Sequence, residues 1–326
     1  MTDAHTLPAH TTLLIGFDSA WTPGNRGAIV AVLARDDGSL LELGVPRGVN
    51  FAEATAAIRA WQAELQPDAT IVLLDQPTIV NNETGQRPVE HLVCSPVSAR
   101  LGGMQPANRS RVEMFGDAAP VWPFLDSFGG AADPLGSAGC SGVFETYPVL
   151  AIIALGWLIP HTRARGRLPK YNPQRRETFS RDDWRDLCAQ VSGALARDGL
   201  PELAAWSERA RTIEAPRKHD QDALDACLCL LVALHLARGG ECLMVGDLAS
   251  GYIVVPHGDV LYAELEARCR DTGREPAQWL RRITARRARQ ALAARERGCT
   301  VAPRASGSPP APGGHAMPFE APMGSP

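Results

Sequence analysis

Apolar positions set the rhythm of the chain. Thr11 to Phe17 is a β-branched and apolar run that stops at Asp18, and a second run from Gly27 to Leu33 follows a Pro23-Gly24-Asn25 turn. A third short strand, Leu40 to Val45, lies beyond the Asp36-Asp37-Gly38 turn, so the first three strands form an antiparallel meander. Asn50 stands where a helix cap is wanted, ahead of Phe51, Ala54, Ile58, Trp61 and Leu65 at helical spacing, which predicts a helix over 51–65. After Pro67-Asp68, the run Thr70 to Leu74 is apolar without alternation, as a strand covered on both faces requires, and it ends at Asp75. The order is β-β-β-α-β, and the expected fold class is α/β.

From Gln76 to Gly142 the chain is rich in Pro, Gly and Asn and weakly periodic. That is too long for a plain connection and reads as an insertion, a lid or a small subdomain. Val143-Phe144 is a short strand leading into Glu145-Thr146-Tyr147-Pro148, with an apolar helix running on to Trp157. Further helices are expected over 181–197, over 201–213, and from near Asp220 to Ala237, where Gly239-Gly240 stops the last one. Glu241 to Val245 and Tyr252 to Val255 read as a closing hairpin, which bounds a main domain at 11–256.

Composition excludes more than it selects. A chain of 326 residues has room for one large domain or two smaller ones. Lys plus Arg is 33 against 36 for Asp plus Glu, a net charge of -3, so no chain-wide basic footprint exists. The longest apolar run, Val149 to Ile159, has 11 residues, short of the roughly 18 that span a bilayer, and no membrane partner is expected. Asp3, His5, Pro8 and His10 do not make a secretory leader. Eight cysteines without a C-x-x-C pair or zinc-ligand spacing read as reduced thiols of a cytoplasmic protein, with Cys227 and Cys229 as buried structural residues. Charge is uneven, however. Pro276 to Gly298 holds seven Arg and one acid, Glu296, and so carries +6, leaving -9 for the remainder. Within an expected helical extension over 257–299, this Arg-rich stretch either binds nucleic acid or packs on the acidic body of the same chain. Thr300 to Pro326, with seven Pro and four Gly in 27 residues, reads as a disordered tail.

Three expected strands end in an acid: Asp18, Asp75 and Glu145. If those strands are adjacent, the carboxylates converge at one sheet edge. Asp222 and Asp225, three apart on the late helix, share one of its faces. Taken singly, each acid has an ordinary role open to it: a turn or helix cap for Asp18 and Asp75, a first-turn position for Asp222, backbone amides for Glu145. Asp225, amid Ala223, Leu224, Ala226 and Leu228, is harder to place that way, because a buried unpaired carboxylate is costly. Carboxylates gathered together need a cation, and oxygen donors without His or Cys favour Mg²⁺ or Mn²⁺. Two such ions suit in-line attack of water on a phosphodiester.

The blocks that carry these acids are Ile15-Gly16-Phe17-Asp18-Ser19-Ala20-Trp21, Leu73-Leu74-Asp75-Gln76-Pro77, Phe144-Glu145-Thr146-Tyr147-Pro148, and Lys218 through Ala226. In that order they resemble domain of unknown function 429, whose members look like nucleases of the ribonuclease H-like fold related to Holliday-junction resolvases. The resemblance covers about residues 11 to 256. It implies a mixed sheet flanked by helices, with Asp18 bridging two metal ions, Asp75 holding one, and Asp222 and Asp225 as the Asp-x-x-Asp pair of the last helix. Glu145 belongs to the narrower family pattern, where its role as a ligand is less defined. Gly85, Arg87 and Glu90 match a Gly-x-Arg-x-x-Glu element, in which Arg87 either contacts phosphate or pairs with Glu90 on the surface.

A nuclease needs basic side chains to hold phosphates. Candidates are Arg100, Arg109 and Arg111 in the insertion, and the acid-free stretch from Arg163 to Arg176, where Lys170 and Arg175 would hold phosphate and Tyr171 would stack a base. The expectation is a Mg²⁺- or Mn²⁺-dependent nuclease acting on DNA or RNA, with a homodimer as a candidate assembly. Two rivals remain open: an actin-like phosphotransferase, for which the bulky Trp21 is a poor fit, and a non-catalytic nucleic-acid-binding scaffold of the same fold.

Overall fold

The computed structural model describes residues 10–136, 141–162 and 165–283. It begins β1 (Thr11–Asp18), β2 (Gly27–Arg35), β3 (Leu40–Glu42), β4 (Arg47–Val49), α1 (Phe51–Leu65) and β5 (Ala69–Asp75). The third expected strand, Leu40 to Val45, ends early at Glu42, and an unexpected strand β4 follows it. Gly44 interrupts the strand at φ 97°, so β3 pairs with Val32 to Ala34 and β4 continues in the same direction along β2 to pair with Gly27 to Ile29. Helix α1 fills its predicted span. Asn50 accepts from the Glu53 N–H and Glu53 accepts from the Asn50 N–H, so two otherwise unpaired donors are satisfied reciprocally.

The insertion contributes α2 (Pro88–Ala99), α3 (Val112–Phe115) and α4 (Val121–Asp126) before β6 (Gly142–Glu145) and α5 (Pro148–Ala154). Helix α5 stops short of the expected Trp157. Gly156 takes the left-handed conformation at φ 72° and the Trp157 N–H closes on the Ile152 carbonyl at 3.0 Å, which ends the helix. The chain continues through α6 (Arg181–Arg197), α7 (Pro201–Arg211), α8 (Lys218–Ala237), β7 (Cys242–Asp247), β8 (Gly251–Pro256), α9 (Asp259–Asp271), α10 (Pro276–Trp279) and β9 (Leu280–Ile283).

The larger sheet runs β3-β2-β1-β5-β6, with β4 also on β2; β1 is antiparallel to β2 and parallel to β5, which is parallel to β6. Alternate residues serve opposite faces. Leu14, Val30, Val32, Ile71 and Leu73 pack toward α8, while Leu13, Ile15, Phe17, Ile29 and Ala31 pack on Phe51, Ala54 and Ile58 of α1 and on Phe124 of α4. Covering on both faces explains the continuous apolar runs. Gly16 decides how close α8 can come: a Cβ there would lie 2.1 Å from the Ala226 carbonyl oxygen and 2.4 Å from the Leu230 nitrogen. Its bare backbone lets α8 rest directly on β1, and that contact brings the acids of α8 over the end of the strand.

The expected closing hairpin forms, but in a separate sheet of order β8-β7-β9, which packs against α2, α5 and α8. The Arg-rich stretch does not begin as the expected continuous helix. After one short turn, Leu280 to Ile283 add to the free edge of β7, because an unpaired strand edge offers backbone partners that helix propensity at Arg281 and Arg282 does not outweigh. Arg282 pairs with Glu241 at 2.9 Å and lies over the Tyr262 ring, so this part of the stretch packs on its own chain. Residues 284–299 and the expected tail lie outside the described residues. Among the described residues no helix is long and apolar enough to cross a membrane. Cys227 and Cys229 are buried, and burial pushes both thiols up, in keeping with an inert structural role.

Candidate carboxylate site

Asp18 and Asp75 end neighbouring parallel strands and are register partners. They stand in phase with Gly16 and Leu73 and so face α8. Asp222 and Asp225, both buried, lie on that helix where it crosses β1 and β5. Both oxygens of Asp225 are engaged: the buried Tyr171 hydroxyl donates to Oδ1 at 2.8 Å and the Gln221 amide donates to Oδ2 at 3.0 Å. The four acids lie within one another's electrostatic reach at a cleft of about 480 Å³, which Asp75, Asp222 and Asp225 line directly.

Burial, then the charge of Asp75, holds the Asp18 carboxyl well above the usual carboxylate range; burial and Asp225 do the same to Asp75. Asp225 is pushed up to about 6 by burial, against the opposing pull of Lys218 and of its two hydrogen bonds. Such groups bind protons more tightly folded than unfolded, so their stabilising effect is complete below about pH 4 and is lost as pH rises through the folded value. In chelator, Asp225→Asn is therefore expected to melt at a higher temperature than wild type at pH 7, with the difference shrinking as pH falls through about 6 and vanishing only below about pH 4. A difference that stays constant across thermal melts from pH 7 to 5 would contradict this.

Lys218, the first residue of α8, is half-exposed, donates to Asp222, and points its ammonium into the cluster. Burial opposes its charge, but Asp18, Asp222 and Asp225 more than offset this and raise its pKa. A lysine is disfavoured at a helix N-terminus by the macrodipole, so its place is explained by these carboxylates rather than by the helix. Among the described residues, no three His, Cys, Asp or Glu side chains converge as a preformed metal cage. The acids fit a hard divalent cation by donor type: four oxygen-bearing side chains, buried and mutually repelling. The cluster's positive charge is otherwise supplied by Lys218. Lys218→Met is expected to lower the melting temperature in chelator and to tighten Mn²⁺ binding about tenfold in titration calorimetry, because the ion no longer competes with an ammonium.

Glu145 borders the same cleft, and its charge helps to raise Asp75, but it is held differently from the other acids. Its register partner is Leu74 rather than Asp75, so it is out of phase with the other strand-end acids. Its carboxylate instead accepts from Arg87 Nη2 at 2.6 Å, Arg87 Nη1 at 2.9 Å and the Thr78 N–H at 3.0 Å. Arg87 is neither a phosphate contact nor half of a surface pair. It is 1% exposed, bonds Glu90 Oε1 at 2.8 Å and the Ile79 carbonyl at 3.1 Å, and ties the insertion to the end of β6. Burial pushes Glu145 up, and Arg87 counters it.

The proposed basic contacts divide as sharply. Arg175 is exposed on the cleft, and Lys170 lines it with its ammonium on the Leu101 carbonyl. Tyr171 borders the cleft but is buried, and its hydroxyl donates to Asp225. Arg100 is buried in a two-point pair with Glu264 of α9 at 2.7 and 2.9 Å. Arg109 pairs with the exposed Asp117. Sequence reasoning gave no role to Lys218 or Gln221. The signal for Lys218 was present, as a basic residue at a helix start four positions before an aspartate.

A family model described as a protein of unknown function, DUF429, matches residues 16–249, which run from within β1 to the turn between β7 and β8. No curated protein and no solved structure matches the chain.

Proposed function

We propose that this chain, which belongs to the DUF429 family, is a Mg²⁺- or Mn²⁺-dependent phosphodiesterase acting on nucleic acid, on a ribonuclease H-like fold. The observation that carries the reading is the registered pair Asp18 and Asp75 beneath Asp222 and Asp225 of α8, at a cleft. The fold half of the reading is supported by the order β3-β2-β1-β5-β6, a meander extended by parallel strands, with its acids at the carboxyl ends.

Asp18, Asp75, Asp222 and Asp225 would hold the cation. When bound, a divalent cation supplies neutralising charge to the attacked phosphate and lowers the pKa of the attacking water. Tyr171 and Gln221 fix both oxygens of Asp225, so this acid is held in one orientation before any ligand arrives. Arg175 and Lys170 border the same cleft and supply positive charge for the flanking phosphates. Glu145, clamped by Arg87, forms the rear wall and orients the first turn of the insertion.

The test is cleavage of end-labelled single-stranded and duplex DNA and RNA in Mn²⁺, beside Mn²⁺ titration calorimetry on wild type, Asp18→Asn and Asp225→Asn. Cleavage and saturable cation binding that both substitutions remove are expected. Absence of cleavage on every substrate, or cleavage indifferent to Asp18, would leave the non-catalytic scaffold as the better reading.

A further inference from the structure

Trp21 lies three residues after Asp18, on the same cleft, with its backbone at φ 60°. The Thr22 N–H donates to the Ala20 carbonyl at 2.7 Å, closing a three-residue turn centred on Trp21, the rare and strained sense of such a turn when φ is positive. A bulky side chain is costly there, where glycine or asparagine is the usual solution. Strain of this kind persists where surrounding structure enforces it, and it gathers at ligand sites. The ring meets Phe115 edge-to-face, with centroids 6.0 Å apart, which props it at the cleft wall without burying it.

The surroundings suit a planar heteroaromatic. Met104 and Met114 line the cleft, Met114 packed in the same small apolar cluster as Trp21, and Asn25 and Gln174 bring amides of the type that read base edges. At about 480 Å³ the cleft has room for a nucleotide-sized group, whereas a duplex would have to remain outside it. We propose that Trp21 is a stacking platform for an unpaired nucleobase beside the carboxylates, so that the cleft takes single-stranded nucleic acid. This rests on the phosphodiesterase reading and names the substrate class of the same site. Base stacking on Trp21 would bring the neighbouring phosphate toward Asp18 and Asp75, with Arg175, which lines the same cleft, to hold the strand.

The test measures binding by fluorescence anisotropy in Ca²⁺, with the strands checked for integrity, using labelled oligothymidylate, an abasic strand of equal length and charge, and a hairpin duplex. Wild type is expected to bind oligothymidylate about tenfold more tightly than the abasic strand and more tightly than the duplex. Trp21→Ala should erase the difference between base-bearing and abasic strands, and Trp21→Phe should keep most of it. Equal affinity of wild type for the two strands, tighter binding of duplex, or a difference that survives in Trp21→Ala would overturn the proposal. The abasic comparison needs no variant to fold. If wild type binds and cleaves nucleic acid yet ignores the bases, only the stacking role falls; if it binds no nucleic acid, the phosphodiesterase reading falls with it.

Discussion

Asp18→Asn is expected to lower cation-dependent cleavage about a thousandfold, or roughly 4 kcal/mol of barrier, while raising the melting temperature of the cation-free protein. Both effects have one origin. Asp18 is buried beside Asp75 and within the field of Asp222 and Asp225, so its charge is unfavourable until a cation arrives, and its carboxyl is held well above the usual range. An amide keeps the size and removes the charge, which relieves the folded state and deprives the cation of an anionic ligand. A cation-binding site assembled against stability would show this opposition. Cleavage rates under single-turnover conditions, paired with thermal melts in chelator, check it. A variant that loses both activity and stability would indicate a structural role for Asp18 instead.

Arg87→Met is expected to destabilise the protein by about 3–5 kcal/mol, the largest effect anticipated from a single substitution, because it strands two buried carboxylates. Glu90 would keep the Arg87 and Ala107 N–H groups, and Glu145 only the Thr78 N–H. Neither set supplies a counter-charge. Adding Glu145→Gln and Glu90→Gln to Arg87→Met should recover much of the loss, since the cost lies in the uncompensated charge rather than in the missing guanidinium. Lysine at 87 should not rescue well, because Arg87 serves two carboxylates and a carbonyl through a planar fork that an ammonium does not reproduce. Urea unfolding of the single and triple variants measures this. A single variant within about 1 kcal/mol of wild type would show that the buried pair is not under the strain that its desolvation implies.

How much of this was legible beforehand depends on the range of the interaction. The α1 span, its Asn50 cap and the strand ends at Asp18 and Asp75 follow from local pattern, since apolar spacing and cap chemistry act within a few residues. The strand from Leu40 ends before Gly44 and the helix from Pro148 before Gly156, because each glycine takes a left-handed conformation that residue pattern alone does not distinguish from an interior one. The Arg-rich segment failed differently: Leu280 to Ile283 became a strand because β7 had an open edge, a fact that exists only once β7 and β8 have paired.

The candidate site divides along the same line. That Asp18, Asp75, Asp222 and Asp225 belong together was readable, because each sits at a strand end or on one helix face and the order of blocks is distinctive. Which acids actually face one another was decided by register and by Gly16. Asp18 lies opposite Asp75, whereas Glu145 falls one position out of phase and is taken by Arg87. Tyr171 looked like an exposed aromatic in a basic loop, yet it is a buried donor to Asp225 from 54 residues away. One-dimensional pattern carries the period of each element and the chemistry of each side chain. Whether a charge ends up paired, buried or open to the cleft depends on neighbours brought close by packing, and it is this long-range desolvation and pairing that separated the four clustered acids from the clamped Glu145.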